Sequence, residues 1–167
     1  MTIIMTPYHV KVAAEAFAAG LFAQAGCDVL VQYGADQPQY DLIVSRRRVI
    51  KRVSVKGSQE GKWGLAQSYL KNANYRAAID SWLSIQGEDI IFCLVQFKGI
   101  TLGECPRTYL ATPKEIAEKL KNECKGRGAT ILYEDHVWTD RAVGAGTREK
   151  LPDSWRFSIE RLEELMK

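Results

Sequence analysis

The sequence predicts an α/β domain, and three observations carry that prediction. Two threonine-proline pairs, Thr6-Pro7 and Thr112-Pro113, each open a stretch with apolar residues at helical spacing. Short apolar runs bounded by glycine and polar clusters alternate with such stretches along the chain. One of these runs, Ile90 to Phe97, is almost continuously apolar, as a central strand covered on both faces requires.

Taken in order, Val10, Ala14, Phe17 and Leu21 form a helical apolar stripe after Thr6-Pro7, with Gly26 as its stop. A short strand follows from Val29 to Tyr33, then a turn-rich connection, Gly34 to Gln39, containing Pro38. Tyr40 to Val44 and Val49 to Val55 flank the basic stretch Arg46 to Arg48, which is a hairpin pattern without the usual Asn-Gly turn. Gly57 to Gly64 is glycine-rich and polar and reads as a mobile loop. Tyr75, Ala78, Ile79 and Trp82 predict a second helix ending near Gly87. Arg107 to Ala111 is a strand leading into Thr112-Pro113, after which Ile116, Ala117 and Leu120 supply the inner face of a third helix. Thr130 to Tyr133 reads as a last strand, Gly144 to Gly146 as a loop, Leu151 to Phe157 as a proline-tryptophan anchor, and Ile159 to Met166 as a closing helix.

The 167 residues suffice for one domain burying about two thirds of its unfolded surface, and neither repeat nor linker divides them. A formal charge of +3 suits a polyanionic partner without demanding one. Cys27, Cys93, Cys105 and Cys124 form no C-x-x-C pair, and His9 and His136 lie far from any, which argues against zinc or a disulfide framework. The apolar N-terminal stretch is broken by His9, Lys11 and Glu15, so it reads as neither leader nor membrane span, and a cytoplasmic location is expected.

The chemistry-bearing residues lie in the predicted hairpin. If Arg47 and Arg48 are its two turn residues, Asp41 lies opposite Ser54; Ser54 and Lys56 share a face, while Val53 and Val55 point the other way. Asp41 and Lys56 then converge near one end of the hairpin. An ion pair at a strand end is the alternative reading of the same two residues.

The order of elements is a helix with Glu15, a short strand, Tyr40-Asp41-Leu42-Ile43-Val44, Val53-Ser54-Val55-Lys56, a helix, and a buried strand from Ile90. This order resembles the PD-(D/E)XK nuclease superfamily, especially its small resolvase-like and homing-endonuclease-like members, over roughly Tyr8 to Met166. The resemblance implies a restriction-endonuclease-like three-layer domain, a central mixed β-sheet flanked by helices. It also implies an aspartate at the start of the second strand, and an acidic residue or glutamine two positions before a lysine on the third. Asp41 and Lys56 match that pattern; Ser54 departs from it.

By this resemblance Asp41 is the main ligand of Mg2+ (or Mn2+), Glu15 a further ligand from the first helix, and Lys56 the group that orients water or stabilises charge at phosphorus. Magnesium prefers hard oxygen ligands, usually one or two carboxylates with water and substrate phosphate. Ser54 brings no charge and offers at most a neutral or water-mediated contact, and Gln59 is a nearby alternative oxygen. A solvated helix-edge glutamate is the other reading of Glu15.

Arg46, Arg47, Arg48, Lys51 and Arg52 form a basic cluster suited to DNA phosphates or simply to a solvated hairpin tip, and Lys62 with Trp63 reads the same two ways. Trp82 and Trp155 read as core or anchor residues. The expected function is a divalent-metal-dependent endonuclease acting on DNA, with RNA as an alternative substrate. A homodimer suits it, since one active site cuts one strand. A catalytically inactive nucleic-acid-binding module and a protein-interaction domain on the same scaffold are the competing expectations.

Overall fold

The computed structural model describes residues 4–32 and 39–167. Within it the chain forms two compact units. The first comprises Met1–Glu60, Glu88–Thr112 and Asp153–Lys167, and the second Gly61–Gly87 and Pro113–Pro152.

The first unit opens with helix α1, Pro7–Gln24. The Thr6 hydroxyl accepts a hydrogen bond from the His9 amide at 3.2 Å, as a threonine N-cap should. Gly26 at φ 82° turns the chain out of the helix, and the Cys27 amide donates back to the Phe22 carbonyl at 3.0 Å. The buried ridge is Val10, Ala14, Ala18 and Phe22, spaced four apart. It is displaced from the Phe17 and Leu21 line that bulk alone suggests, because the small Ala14 and Ala18 allow the helix to sit close against the sheet.

That sheet has five strands: β1 (Asp28–Val31), β2 (Leu42–Arg46), β3 (Val49–Ser58), β5 (Ile90–Gln96) and β6 (Arg107–Ala111), in the order β1-β2-β3-β5-β6. It is mixed, since β3 and β5 run parallel and every other neighbouring pair is antiparallel. All seven residues of β5 are buried, as its unbroken apolar run predicts. Leu42, Val44, Val53, Val55, Ile91, Cys93, Val95 and Leu110 form one core cluster with Ala14, Ala18 and Phe22 of α1 and with Leu162 of α4, Ile159–Leu165. Burying each large aliphatic side chain there contributes roughly 1.5–3 kcal/mol. The expected proline-tryptophan anchor is a 3-10 turn, Asp153–Trp155, with Trp155 buried.

The β2–β3 hairpin turns on Arg47 and Arg48, whose φ values of 49° and 71° put both in the left-handed region that a type I′ turn requires. Arginine there costs about 1–2 kcal/mol per residue relative to right-handed backbone. Arg46 pairs with Val49 and Leu42 with Val53, the last pair of the ladder, so the expected Asp41–Ser54 pairing lies one step beyond it. Tyr33 and most of the predicted Gly34–Gln39 connection, including Pro38, lie outside the described residues.

The second unit holds α2 (Tyr75–Ser84) and α3 (Pro113–Asn122), joined by a Lys121–Asp80 ion pair at 2.5 Å and by Arg76, which donates to the carbonyls of Lys121 and Gly126. Trp82 is buried on α2. Strand β4 (Lys62–Gly64) pairs with β7 (Ile131–Tyr133), and β8 (Asp135–Val137) with β9 (Arg148–Lys150). The expected loop from Gly57 to Gly64 is therefore incorrect: β3 runs through Ser58, and Lys62 starts a new strand. Glycines at positions 57, 61 and 64 suggest a loop, yet Gly57 is there for close packing. A Cβ on it would lie 2.8 Å from Ala14 Cβ and 2.9 Å from Val10 Cγ1.

No helix among the described residues is long and apolar enough to cross a membrane.

Candidate metal centre

The candidate site forms where β2 ends and β3 continues. The Asp41 amide donates to the carbonyl of Val53, already the partner of Leu42, at 2.8 Å, so the regular register ends with β2. Beyond that point the Val55 amide has no partner strand on the β2 side, and Asp41 Oδ2 accepts its hydrogen bond at 2.7 Å. The aspartate is thus held by the backbone of the strand that carries Ser54 and Lys56.

Glu15 reaches the same place from α1. Seven residues separate it from Phe22, almost two full turns, so it lies close to the line of the buried ridge. Its side chain is 20% exposed, and Lys11 Nζ lies 3.9 Å from its Oε1. Burial first, and then the Asp41 carboxylate, hold the Glu15 carboxyl above the usual carboxylate range, against the lowering influence of Lys11 and Lys56. Glu15 Oε1 is buried and accepts no hydrogen bond from any described residue.

Those features fit a divalent cation. Two carboxylates pressed together repel unless a proton or a metal ion lies with them, and an oxygen without a donor is an available ligand. Glu15 and Asp41 supply two hard oxygen donors, and water and a substrate phosphate would complete an octahedral magnesium ion. Among the described residues no group of three or more histidine, cysteine, aspartate or glutamate side chains could hold a metal ion.

The other predicted residues are placed less evenly. Lys56 is exposed on β3, and its charge acts on Glu15. Ser54 is 2% exposed and, by alternation, shares Lys56's face rather than the face that α1 covers. Gln59 does not offer its oxygen to this site: its Oε1 accepts from the Met5 amide at 3.1 Å and its Nε2 donates to the Met5 carbonyl at 2.6 Å. That double bond pins the chain just before α1, an arrangement with no local signal in the sequence.

The basic cluster is divided by strand alternation. Arg46 forms an ion pair with Glu163 at 3.1 Å, and Arg52 makes a two-point contact with Asp89. The Asp89 carboxyl is held below its usual range by that guanidinium hydrogen bond. Lys51 is paired with Val44 and so lies on the opposite face from Arg52. Arg47 and Arg48 are exposed at the turn. In the second unit Lys62 is exposed on β4, whereas Trp63, also expected to be available to nucleic acid, is buried opposite Leu132. Its bulk serves the β4–β7 pair.

Comparisons with protein-family models, with curated proteins and with solved structures find no match.

Proposed function

We propose that this protein is a divalent-metal-dependent endonuclease that hydrolyses DNA phosphodiester bonds, with Glu15 and Asp41 as the ligands of Mg2+ or Mn2+. The observation that carries this reading is the Glu15–Asp41 carboxyl pair, with its raised Glu15 proton affinity and its donorless oxygen, at the point where β2 leaves β3. A bound ion supplies Lewis-acid polarisation of the phosphate and acidification of an attacking water.

The chain's own residues do the rest. Asp41 is oriented by the Val55 amide, so its second oxygen is positioned without further reorganisation. Lys56, exposed on β3 with its charge acting on Glu15, is the residue assigned to offset the negative charge that develops on the phosphate oxygens. In the reaction the water oxygen bonds to phosphorus, the P–O bond to the leaving nucleotide breaks, the water gives one proton to solvent and the leaving oxygen takes one up from it. One such centre cuts one strand, so a double-strand cut requires two copies of the chain.

The neutral, buried Ser54 favours a second reading, a nucleic-acid-binding module without catalysis. Cleavage assays with Mg2+ and Mn2+ on plasmid, single-stranded and branched DNA, with Asp41→Asn as control, separate the two. Metal-dependent cutting abolished by Asp41→Asn supports the nuclease. No cutting of any substrate removes it, and salt-dependent DNA binding without metal binding favours the module.

A further inference from the structure

The turn of the β2–β3 hairpin is unusual in composition and in charge. A type I′ turn favours Asn-Gly because both central residues need positive φ, yet Arg47 and Arg48 occupy those positions at 49° and 71°. Strained backbone that carries long cationic side chains is a feature to explain by what those side chains meet. Arg46 and Arg47 share one carboxylate, that of Glu163, at 3.1 and 3.5 Å, and the Arg47 side chain is 76% exposed. Among the described residues the tip thus has three guanidinium groups and one carboxylate contacting them.

From Asp41 to Arg46, β2 advances five residues, about 17 Å along a strand. Phosphates on one strand of a duplex follow at about 3.4 Å of axis per step, so the tip lies about five base pairs from the carboxyl pair. Charges at that distance favour a substrate stiff enough to hold a second phosphate there without further ordering. Duplex DNA, with a persistence length near 50 nm, does so; a single strand must be ordered to reach both points and gains less.

We propose that Arg47 and Arg48 form a phosphate clamp that makes double-helical DNA, with about half a turn flanking the cut, the substrate of the site at Asp41. The position of the cut rests on the nuclease reading; the binding does not. Guanidinium groups suit the task because each can donate two parallel hydrogen bonds to one phosphate.

The test replaces Arg47 and Arg48 together by Asn and Gly, the pair the turn prefers, and measures metal-free binding in EDTA to a 20-base-pair duplex and to its single strand (lengths on the order of two helical turns). The clamp predicts an unchanged or higher melting temperature, about tenfold weaker duplex binding, and a salt slope shallower by about 1.8, from two lost phosphate contacts. Single-strand binding should fall by clearly less than duplex binding. Unchanged duplex affinity and slope, or an equal loss for the single strand, overturns the proposal. If the Asn-Gly variant fails to fold, Arg47→Gln with Arg48→Gln removes charge alone and reads the same quantities. Absence of cutting by a wild-type protein that shows this duplex binding removes the nuclease and leaves the clamp. Intact cutting with unchanged binding by the variant removes the clamp and leaves the nuclease.

Discussion

Asp41 Oδ2 accepts the Val55 amide at 2.7 Å, in the position where a β2 carbonyl would stand had that strand continued. A residue proposed as a metal ligand therefore also completes the backbone hydrogen bonding of β3, and its charge and its acceptor can be removed separately.

Asp41→Asn keeps an acceptor for the Val55 amide and removes the repulsion with Glu15, so its stability should equal or exceed that of the wild type. Asp41→Ala leaves the amide without its partner and should be less stable than the asparagine variant by about 1 kcal/mol. Both should lose metal binding and cleavage. Thermal melts of the two variants check the order, and an alanine variant as stable as the asparagine one would show that the hydrogen bond contributes nothing.

Gly57→Ala tests whether the close approach of α1 positions Glu15. The added methyl meets Ala14 Cβ at 2.8 Å and must push the helix from β3. Overpacking of this kind costs typically 1–3 kcal/mol. Because Glu15 adjoins Ala14, the variant should also bind Mn2+ several-fold more weakly than wild type. Denaturant melts and calorimetric titration read the two effects, and a stability loss with unchanged metal affinity would detach Gly57 from the site.

Ser54→Glu adds a third carboxylate at a buried position. In EDTA the variant should melt below the wild type, since a buried charge without full compensation costs several kcal/mol. With Mn2+ it should recover more than the wild type does, and its metal affinity should rise about tenfold, equivalent to about 1.4 kcal/mol. Calorimetric titration of both proteins decides the matter: no binding of Mn2+ or Mg2+ by either one removes the metal centre altogether.

Stability should fall between about pH 4.5 and 7, through Glu123 of the second unit. Its carboxyl is buried, with neither oxygen accepting a hydrogen bond from a described residue, and burial pushes its pKa up to about 7, against the pull of Lys119 at 3.5 Å. Glu149, whose carboxylate also lies near Lys119, raises it further. A folded-state pKa above the unfolded value means that the folded protein holds the proton more tightly, so this stabilisation is complete below about pH 4.5 and is lost as pH rises through 7. The effect is on the order of 3 kcal/mol. Glu15 shifts the same way and adds to it. Glu123→Gln should flatten most of the slope between pH 5 and 8 and raise stability at pH 8; a melting-temperature profile identical to wild type would remove Glu123 as its source.

The sequence by itself determined the helices and the hairpin, because their signals are local. A threonine-proline cap, the helical apolar spacing that follows Thr6-Pro7 and the unbroken apolar run at β5 each depend on neighbours within a few residues. Even the β2–β3 register, Leu42 with Val53, follows from counting back from two turn residues. Tertiary structure decided what those residues meet. Gly57 resembles a loop glycine until α1 lies against it, and Trp63 resembles an exposed loop aromatic until β7 pairs with β4. Gln59 is taken up by Met5, 54 positions away, and Arg46 by Glu163, 117 positions away. The carboxyl pair has the same origin: Glu15 and Asp41 lie on different elements, and only the packing of α1's small-residue ridge on the sheet brings them together. Burial and charge proximity depend on distances across the fold, which spacing along the chain does not encode.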